Sequence, residues 1–230
     1  MPHEPNPSEI LALAVAKAGG DTWQNPETLM LSGNATFTPF GQITADKKMV
    51  FDQYALFRVF PLENNAAHQA NGKIRFDAFE GDECFFKLVF DGKKSNMFLS
   101  ETAKPYEKHF SWSNNFGFSI IRFANREGFK LERLTDDNID GHECYILQIT
   151  DPNQSKTVYG IDKTHHYIRY LAFNTEVGFH HRIYADFEQV PNVNFLQPTR
   201  LRIYFDGLKW MDINWKTFAV NQAIADEVFG

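Results

Sequence analysis

Histidines, cysteines and neighbouring carboxylates are the side chains of this sequence whose spacing could support chemistry. Adjacent histidines occur twice, at His165-His166 and His180-His181, and His142 stands two residues before Cys144. Asp136-Asp137 lies close by, followed by Asn138 and Asp140-Gly141. A bound metal needs ligands that close on one point, whereas consecutive strand residues point to opposite faces. If residues Asn174 to Gly178 form a loop, Leu171 pairs with His181 and Ala172 with His180. His165 and His166 then fall at the far end of that hairpin, beside Asp186 and Phe187, roughly 20 Å from the other pair. The two pairs cannot share a metal, and His165-His166 reads as a polar turn. Neither a metal nor a cofactor is expected.

Nucleophilic chemistry is no better supported. The chain carries no G-x-S-x-G, no G-x-G-x-x-G and no phosphate loop, and His142-Glu143-Cys144-Tyr145-Ile146 fails the H-E-x-x-H zinc pattern at its last place. His142 and Cys144 share a strand face, so a Cys-His pair is geometrically open, but a packing role is the better account of the cysteine. The acidic run from Asp136 to Asp140 reads as solvated turn carboxylates. No catalytic residue is assigned, and the chain is read as a binding protein and not an enzyme.

Composition narrows the partners. The chain has 230 residues, 43% of them hydrophobic and 23% charged, with 23 phenylalanines. That phenylalanine content is about twice the usual share, and each buried ring stabilises by roughly 1.5–3 kcal/mol. One domain spanning residues 1–230 is expected, since all-β chains of this length commonly stay undivided. The formal net charge is −6 and the basic residues are scattered, which argues against nucleic acid as a partner. No apolar run approaches a membrane span, and MPHEPNPSEI lacks the features of a signal peptide. Cys84 and Cys144 are read as free thiols.

The elements that must position any site are mostly strands. Ser8 reads as the cap of a helix over about 9–18, with Ile10, Leu11, Ala14, Val15 and Ala18 on its apolar face. From Thr28 on, about ten to twelve strands alternate with turn signals. Asp91-Gly92 and Asp206-Gly207 predict two-residue hairpins, pairing Phe90 with Lys93, Phe86 with Met97, Phe205 with Leu208 and Ile203 with Trp210. Between about 105 and 127 the alternation breaks into one or two short helices, with Ser113 or Asn114 as a cap and Phe116, Ile120, Phe123 and Ala124 on one side.

The division of strand faces points to a cavity. Ile74, Phe76 and Ala78 share one face of their strand, and Cys84, Phe86, Leu88 and Phe90 share one face of the next. A curved antiparallel sheet must cover such a face, close into a barrel, or hold an apolar ligand there. Two short helical segments are small cover. The expected lining is Ile74, Phe76, Phe86, Leu88, Phe90, Phe116 and Ile120. An enzyme using the same cavity, with His142, His181 or a nearby Asp as acid or base, and a protein-interaction or regulatory module are the rival readings.

Three stretches, taken in order, resemble the LolA/LolB-like superfamily of bacterial lipoprotein carriers. They are NGKIRFDAFEG (Asn71 to Gly81), HECYILQITDP followed by TVYGIDKTHHYIRYLAF (His142 to Phe173), and AVNQAIADEVF (Ala219 to Phe229). The resemblance implies a mainly β (α+β) fold: a half-open, strongly curved antiparallel barrel with short helices over its concave face. It further implies a noncatalytic carrier or sensor of a lipid, a lipoprotein acyl chain or another apolar molecule, in the periplasm or cell envelope. The arginine that such carriers place before an early turn is replaced here by Ala70 and Asn71, with Arg58 and Arg75 nearby.

Overall fold

The first helix, α1 (Pro7–Ala18), is capped by Asn6 and not by Ser8. The Asn6 side-chain oxygen accepts from the backbone N–H groups of Ser8 and Glu9 at 3.0 and 3.1 Å, and the Glu9 carboxylate accepts from Asn6 N–H at 2.7 Å. Pro7 then occupies the first helical position, where a missing N–H costs nothing. The helix buries Ile10, Leu11, Ala14 and Ala18. It stops at Gly19, whose φ of +135° and approach to the Asn194 carbonyl leave no room for a Cβ. A single turn, α2 (Asp21–Gln24), then buries Trp23. In the computed structural model, residues 4–39, 48–60, 72–115 and 118–230 are described.

Among the described residues thirteen strands follow: β1 (Thr28–Phe37), β2 (Met49–Val59), β3 (Lys73–Glu80), β4 (Glu83–Phe90), β5 (Ser95–Leu99), β6 (Lys130–Arg133), β7 (Asp137–Ile139), β8 (His142–Thr150), β9 (Lys156–Asp162), β10 (Ile168–Thr175), β11 (Gly178–Gln189), β12 (Leu196–Phe205) and β13 (Leu208–Val220). They form one curved antiparallel sheet in the order β5-β4-β3-β2-β1-β13-β12-β11-β10-β9-β8-β6, with β7 beside β8. The edges β5 and β6 do not pair with each other, so the barrel is half open. β7 lies within the acidic stretch that the sequence marks as a turn; Asp137, Asn138 and Ile139 pair with Cys144, Glu143 and His142. Among the described residues no helix is long and apolar enough to cross a membrane.

Register decides which side chains reach the concave face, and it departs from expectation in several places. The Asp91-Gly92 connection takes four residues, because the Asp91 carboxylate accepts from the N–H groups of both Lys93 and Lys94 at 2.7 Å. Phe86 therefore faces Leu99, Leu88 faces Met97 and Phe90 faces Ser95. A shift of two leaves every side chain on its expected face. The β10–β11 hairpin closes more tightly than expected: Thr175 pairs with Gly178, placing His180 opposite Phe173 and His181 opposite Ala172. That shift of one exchanges the two faces of β11.

In β4, Ala78 pairs with Phe86 and Phe79 with Cys84, leaving Phe85 as an extra residue. This bulge buries Phe85 and Phe86 together and moves Cys84 off the Phe86 face, correcting the expected alternation. The Asp206-Gly207 turn does pair Phe205 with Leu208, but a second bulge gives Ile203 the partner Met211 instead of Trp210.

The chain from β5 to β6 crosses the concave side. It comprises a 3-10 turn (Lys104–Tyr106), α3 (Glu107–Asn115) and a second 3-10 segment (Phe118–Phe123). α3 starts at Glu107 behind Pro105, so Ser113 and Asn114 lie near its end and do not cap it. Phe110 of α3 plugs one part of the hollow: its ring lies 4.8 Å from Phe86, 5.4 Å from Phe37 and 5.0 Å from Trp210. Phe51 and Phe85, 4.7 Å apart, extend the same aromatic cluster. Such offset and edge contacts add about 0.5–1.5 kcal/mol per pair beyond burial.

Candidate functional site

Beyond the Phe110 plug the hollow is not filled. A cavity of ≈ 110 Å³ lies between the sheet, α2 and the second 3-10 segment. Its apolar wall is supplied by Leu29, Leu31 and Leu56 from β1 and β2 and by Leu201, Ile203 and Ile213 from β12 and β13. These positions are cross-strand partners along one face: Leu31 with Leu56, Leu56 with Phe76, and Leu201 with Ile213. Trp23, Phe60, Phe195 and Trp215 complete the greasy surround.

Three arginines enter the same cavity, Arg58 from β2, Arg182 from β11 and Arg122 from the cover. Tyr54, Leu56 and Arg58 alternate on one face of β2, as His180, Arg182 and Tyr184 do on β11. Arg122 is 5% exposed and its guanidinium lies over the rings of Trp23, at 4.7 Å, and Phe60, at 5.1 Å. Its carbonyl oxygen accepts from the Gln24 side chain at 3.1 Å, which ties the cover to α2. Arg58 lies over Phe60 at 5.6 Å. Burial and the neighbouring Arg182 charge lower Arg58 to about 10, and burial and the Arg58 charge lower Arg122 to about 9. Both remain cationic near neutral pH. Burial raises the Tyr54 and Tyr184 phenols, which stay protonated.

Of the seven side chains expected to line the cavity, Phe76 does, 6.2 Å from the Tyr54 ring. Ile74, Phe86, Leu88 and Ile120 are buried in the continuous core, Phe86 beneath Phe110, and Phe90 packs at its margin. Phe116 lies outside the described residues. The arginines were the signal within reach of the sequence: Arg58 shares the parity of Tyr54 and Leu56, an inward charge on an otherwise apolar face.

The paired histidines, the cysteines and the acidic run do not converge on this cavity. His165 and His166 occupy a turn in which Asp162 accepts from the N–H groups of Thr164 and His165, both at 2.8 Å, and His166 takes a φ of 60°. Tyr167, beside His165, stacks on Phe187 at 4.4 Å. His180 is wholly buried, whereas half-buried His181 stacks on Tyr204 at 4.6 Å on the other face. His142 Nδ1 lies 3.5 Å from the Asp162 carboxylate. Burial, with the Asp162 charge nearby, pushes the Cys144 thiol up to about 11, the opposite of what a nucleophilic thiolate needs. Asp136 is paired with Arg133 and Lys163, and Asp140 with Arg202. Cys84 and Cys144 are free thiols. Among the described residues no group of three His, Cys, Asp or Glu side chains is placed to hold a metal.

A thirteen-stranded, half-open sheet with a leading helix and a helical cover over its hollow is a LolA-like fold. Solved structures similar along nearly the whole chain say the same. A putative outer membrane lipoprotein-sorting protein domain from Vibrio parahaemolyticus aligns with TM-score 0.57 at 13% identity, covering 97% of each chain. A DUF1329 family protein from Desulfovibrio piger aligns with TM-score 0.55 at 13% identity over 99% of this chain and 98% of that one. A LolA superfamily protein from Nitrosomonas europaea gives TM-score 0.50 at 12% identity, with 99% and 98% covered. No protein-family model and no curated protein matches the chain by sequence.

Proposed function

We propose that this chain, acting as one unit over residues 1–230, is a noncatalytic binding protein that holds the apolar part of a lipid, an acyl chain or a similar molecule in its concave cavity. The observation that carries this reading is the ≈ 110 Å³ hollow walled by Leu29, Leu31, Leu56, Leu201, Ile203 and Ile213. The apolar wall of such a void forfeits dispersion contacts, and a hydrocarbon guest restores them. The fold shared with a lipoprotein-sorting domain supports a carrying or sensing role, with a lipoprotein as one candidate cargo and the cell envelope as the place of action.

Size sets a condition on binding. A water needs roughly 10–15 Å³ of such volume, so the cavity holds on the order of ten water-sized groups, short of a long acyl chain. A 16-carbon chain would contribute on the order of 10 kcal/mol at ~0.8 kcal/mol per methylene before ordering costs. Its entry requires the cover between β5 and β6 to shift. Displacement of an environment-sensitive apolar dye tests the reading: fatty acids, phospholipids or acylated peptides should compete in the micromolar range. Failure of all three classes to compete overturns it.

A further inference from the structure

We infer that a bar of three rings, Phe76, Tyr54 and Trp215, is the end wall of the hollow and sets the length of hydrocarbon it accepts, with Trp215 as the main determinant. This inference rests on the binding role proposed above and specifies which chains that role admits. The rings come from β3, β2 and β13, and the Tyr54 ring lies 6.2 Å from Phe76 and 5.4 Å from Trp215. All three border the cavity. Strand β1 runs between Tyr54 and Trp215, and the residue it places there is Gly33, paired with Tyr54 on one side and with Trp215 on the other. Strands separated by a third stand about 9.5 Å apart, and Gly33 puts no side chain between the two rings. They therefore meet across β1.

The bar divides the inside of the sheet. Along β1, Leu29 and Leu31 border the cavity, whereas Ala35 and Phe37, beyond Gly33, are buried without bordering it. Along β2, Leu56 and Arg58 border it, and Phe51, beyond Tyr54, does not. Phe37 and Phe51, 6.4 Å apart, belong instead to the aromatic cluster around Phe110. The facing wall changes in the same way: Ile203 and Ile213 border the cavity, while Phe205 and Trp210, 5.8 Å apart, do not. A hydrocarbon laid along Leu31 and Leu56 thus ends with its methyl group against the Tyr54 and Trp215 rings. Each methylene up to that point removes apolar surface from water. Methylenes beyond it must displace packed rings, which forces side chains off their rotamers and shifts backbone.

The test uses the full chain and a neutral apolar dye, displaced by straight-chain fatty acids from hexanoate to hexadecanoate and by 1-alkanols over the same range. Competition should strengthen about fourfold per added methylene up to a length on the order of ten carbons, at one water-sized volume per methylene, and then level off or fall. Trp215→Leu should move that break to longer chains, binding the shortest members more weakly and those just past the original break severalfold more tightly. A merely loosened fold weakens all lengths together, and the thermal midpoint reports whether the variant folds. Phe76→Leu, which opens the other end of the bar, takes its place should Trp215→Leu unfold. The break in the unaltered chain decides should both unfold. A steady gain through hexadecanoate in the unaltered chain, or a break that the folded variant leaves in place, overturns the inference while leaving the cavity a binding site. Competition by no member of either series instead overturns the binding role beneath it.

Discussion

Arg182 Nε donates to His180 Nε2 across 2.8 Å, along one face of β11 inside the sheet. An imidazole that accepts at Nε2 is neutral and carries its proton on Nδ1. Burial, then the Arg182 charge, holds His180 well below its ordinary value. The unfolded chain therefore takes up this proton first as pH falls, so stability is full above about pH 6.5 and declines below it. His181 and His109, both lowered by burial, act in the same direction. Urea unfolding should show a loss between pH 7 and pH 5 with a slope of up to about 1.4 kcal/mol per pH unit for each histidine. His180→Gln, which keeps an acceptor for Arg182, should flatten that slope by about one proton's worth; an unchanged slope would count against a buried neutral His180.

A second pH window belongs to Asp162. Although burial raises it, hydrogen bonds from His165 N–H, Arg169 and Thr164 N–H hold it at about 2. The unfolded value is about 3.9, so this contribution is complete above pH 4 and is lost as pH falls toward 2. Asp162→Asn should cost about 3–5 kcal/mol, because Arg169 is left as an unpaired buried cation. Denaturant titration at pH 7 measures it, and a loss under 1 kcal/mol would show that the turn needs no charge.

Phe110 is the cover's main anchor, fully buried against Phe37, Phe85, Phe86 and Trp210. Truncating it to alanine should destabilise by about 3–5 kcal/mol. The vacated space adjoins Phe86 and Trp210 in the core, so a neutral dye should also bind more of the variant at saturation. Equilibrium unfolding and dye titration read the two effects separately.

Gly33 marks an irregularity in β1 against both neighbours, β2 and β13. A Cβ there would sit 1.9 Å from the Asn214 carbonyl oxygen. Gly33→Ala should therefore cost about 3 kcal/mol by overpacking, with the loss appearing in thermal unfolding. Gly207, whose Cβ would meet nothing within 4 Å but whose φ is +78°, should tolerate alanine at a smaller cost.

Much of this architecture is legible in the sequence, and what is not has a local cause. Strand alternation with Gly-containing turns places most strands and the break between about 105 and 127, because period-two burial needs only one covered face. The cavity wall is harder to read. Setting the β10–β11 register off by one turns Arg182 outward, while the Thr175 and Gly178 pairing turns it in. The Phe85 bulge similarly breaks the β4 alternation that placed Cys84 beside Phe86. Alternation locates apolar positions, but it does not tell a side chain bordering empty space from one pressed against a plug; Phe76 and Phe86 look alike in sequence and differ because Phe110 reaches only the second. Arg58 required no structure to find, since its parity with Leu56 already aims it inward.

The cover is also the length of chain that joins β5 to β6, the two unpaired margins of the sheet. Admitting a guest and widening the girth are for that reason one movement: the strap that shuts the mouth is stitched to both lips. Because no ladder bond among the described residues bridges those lips, parting them unpicks no strand from its neighbour.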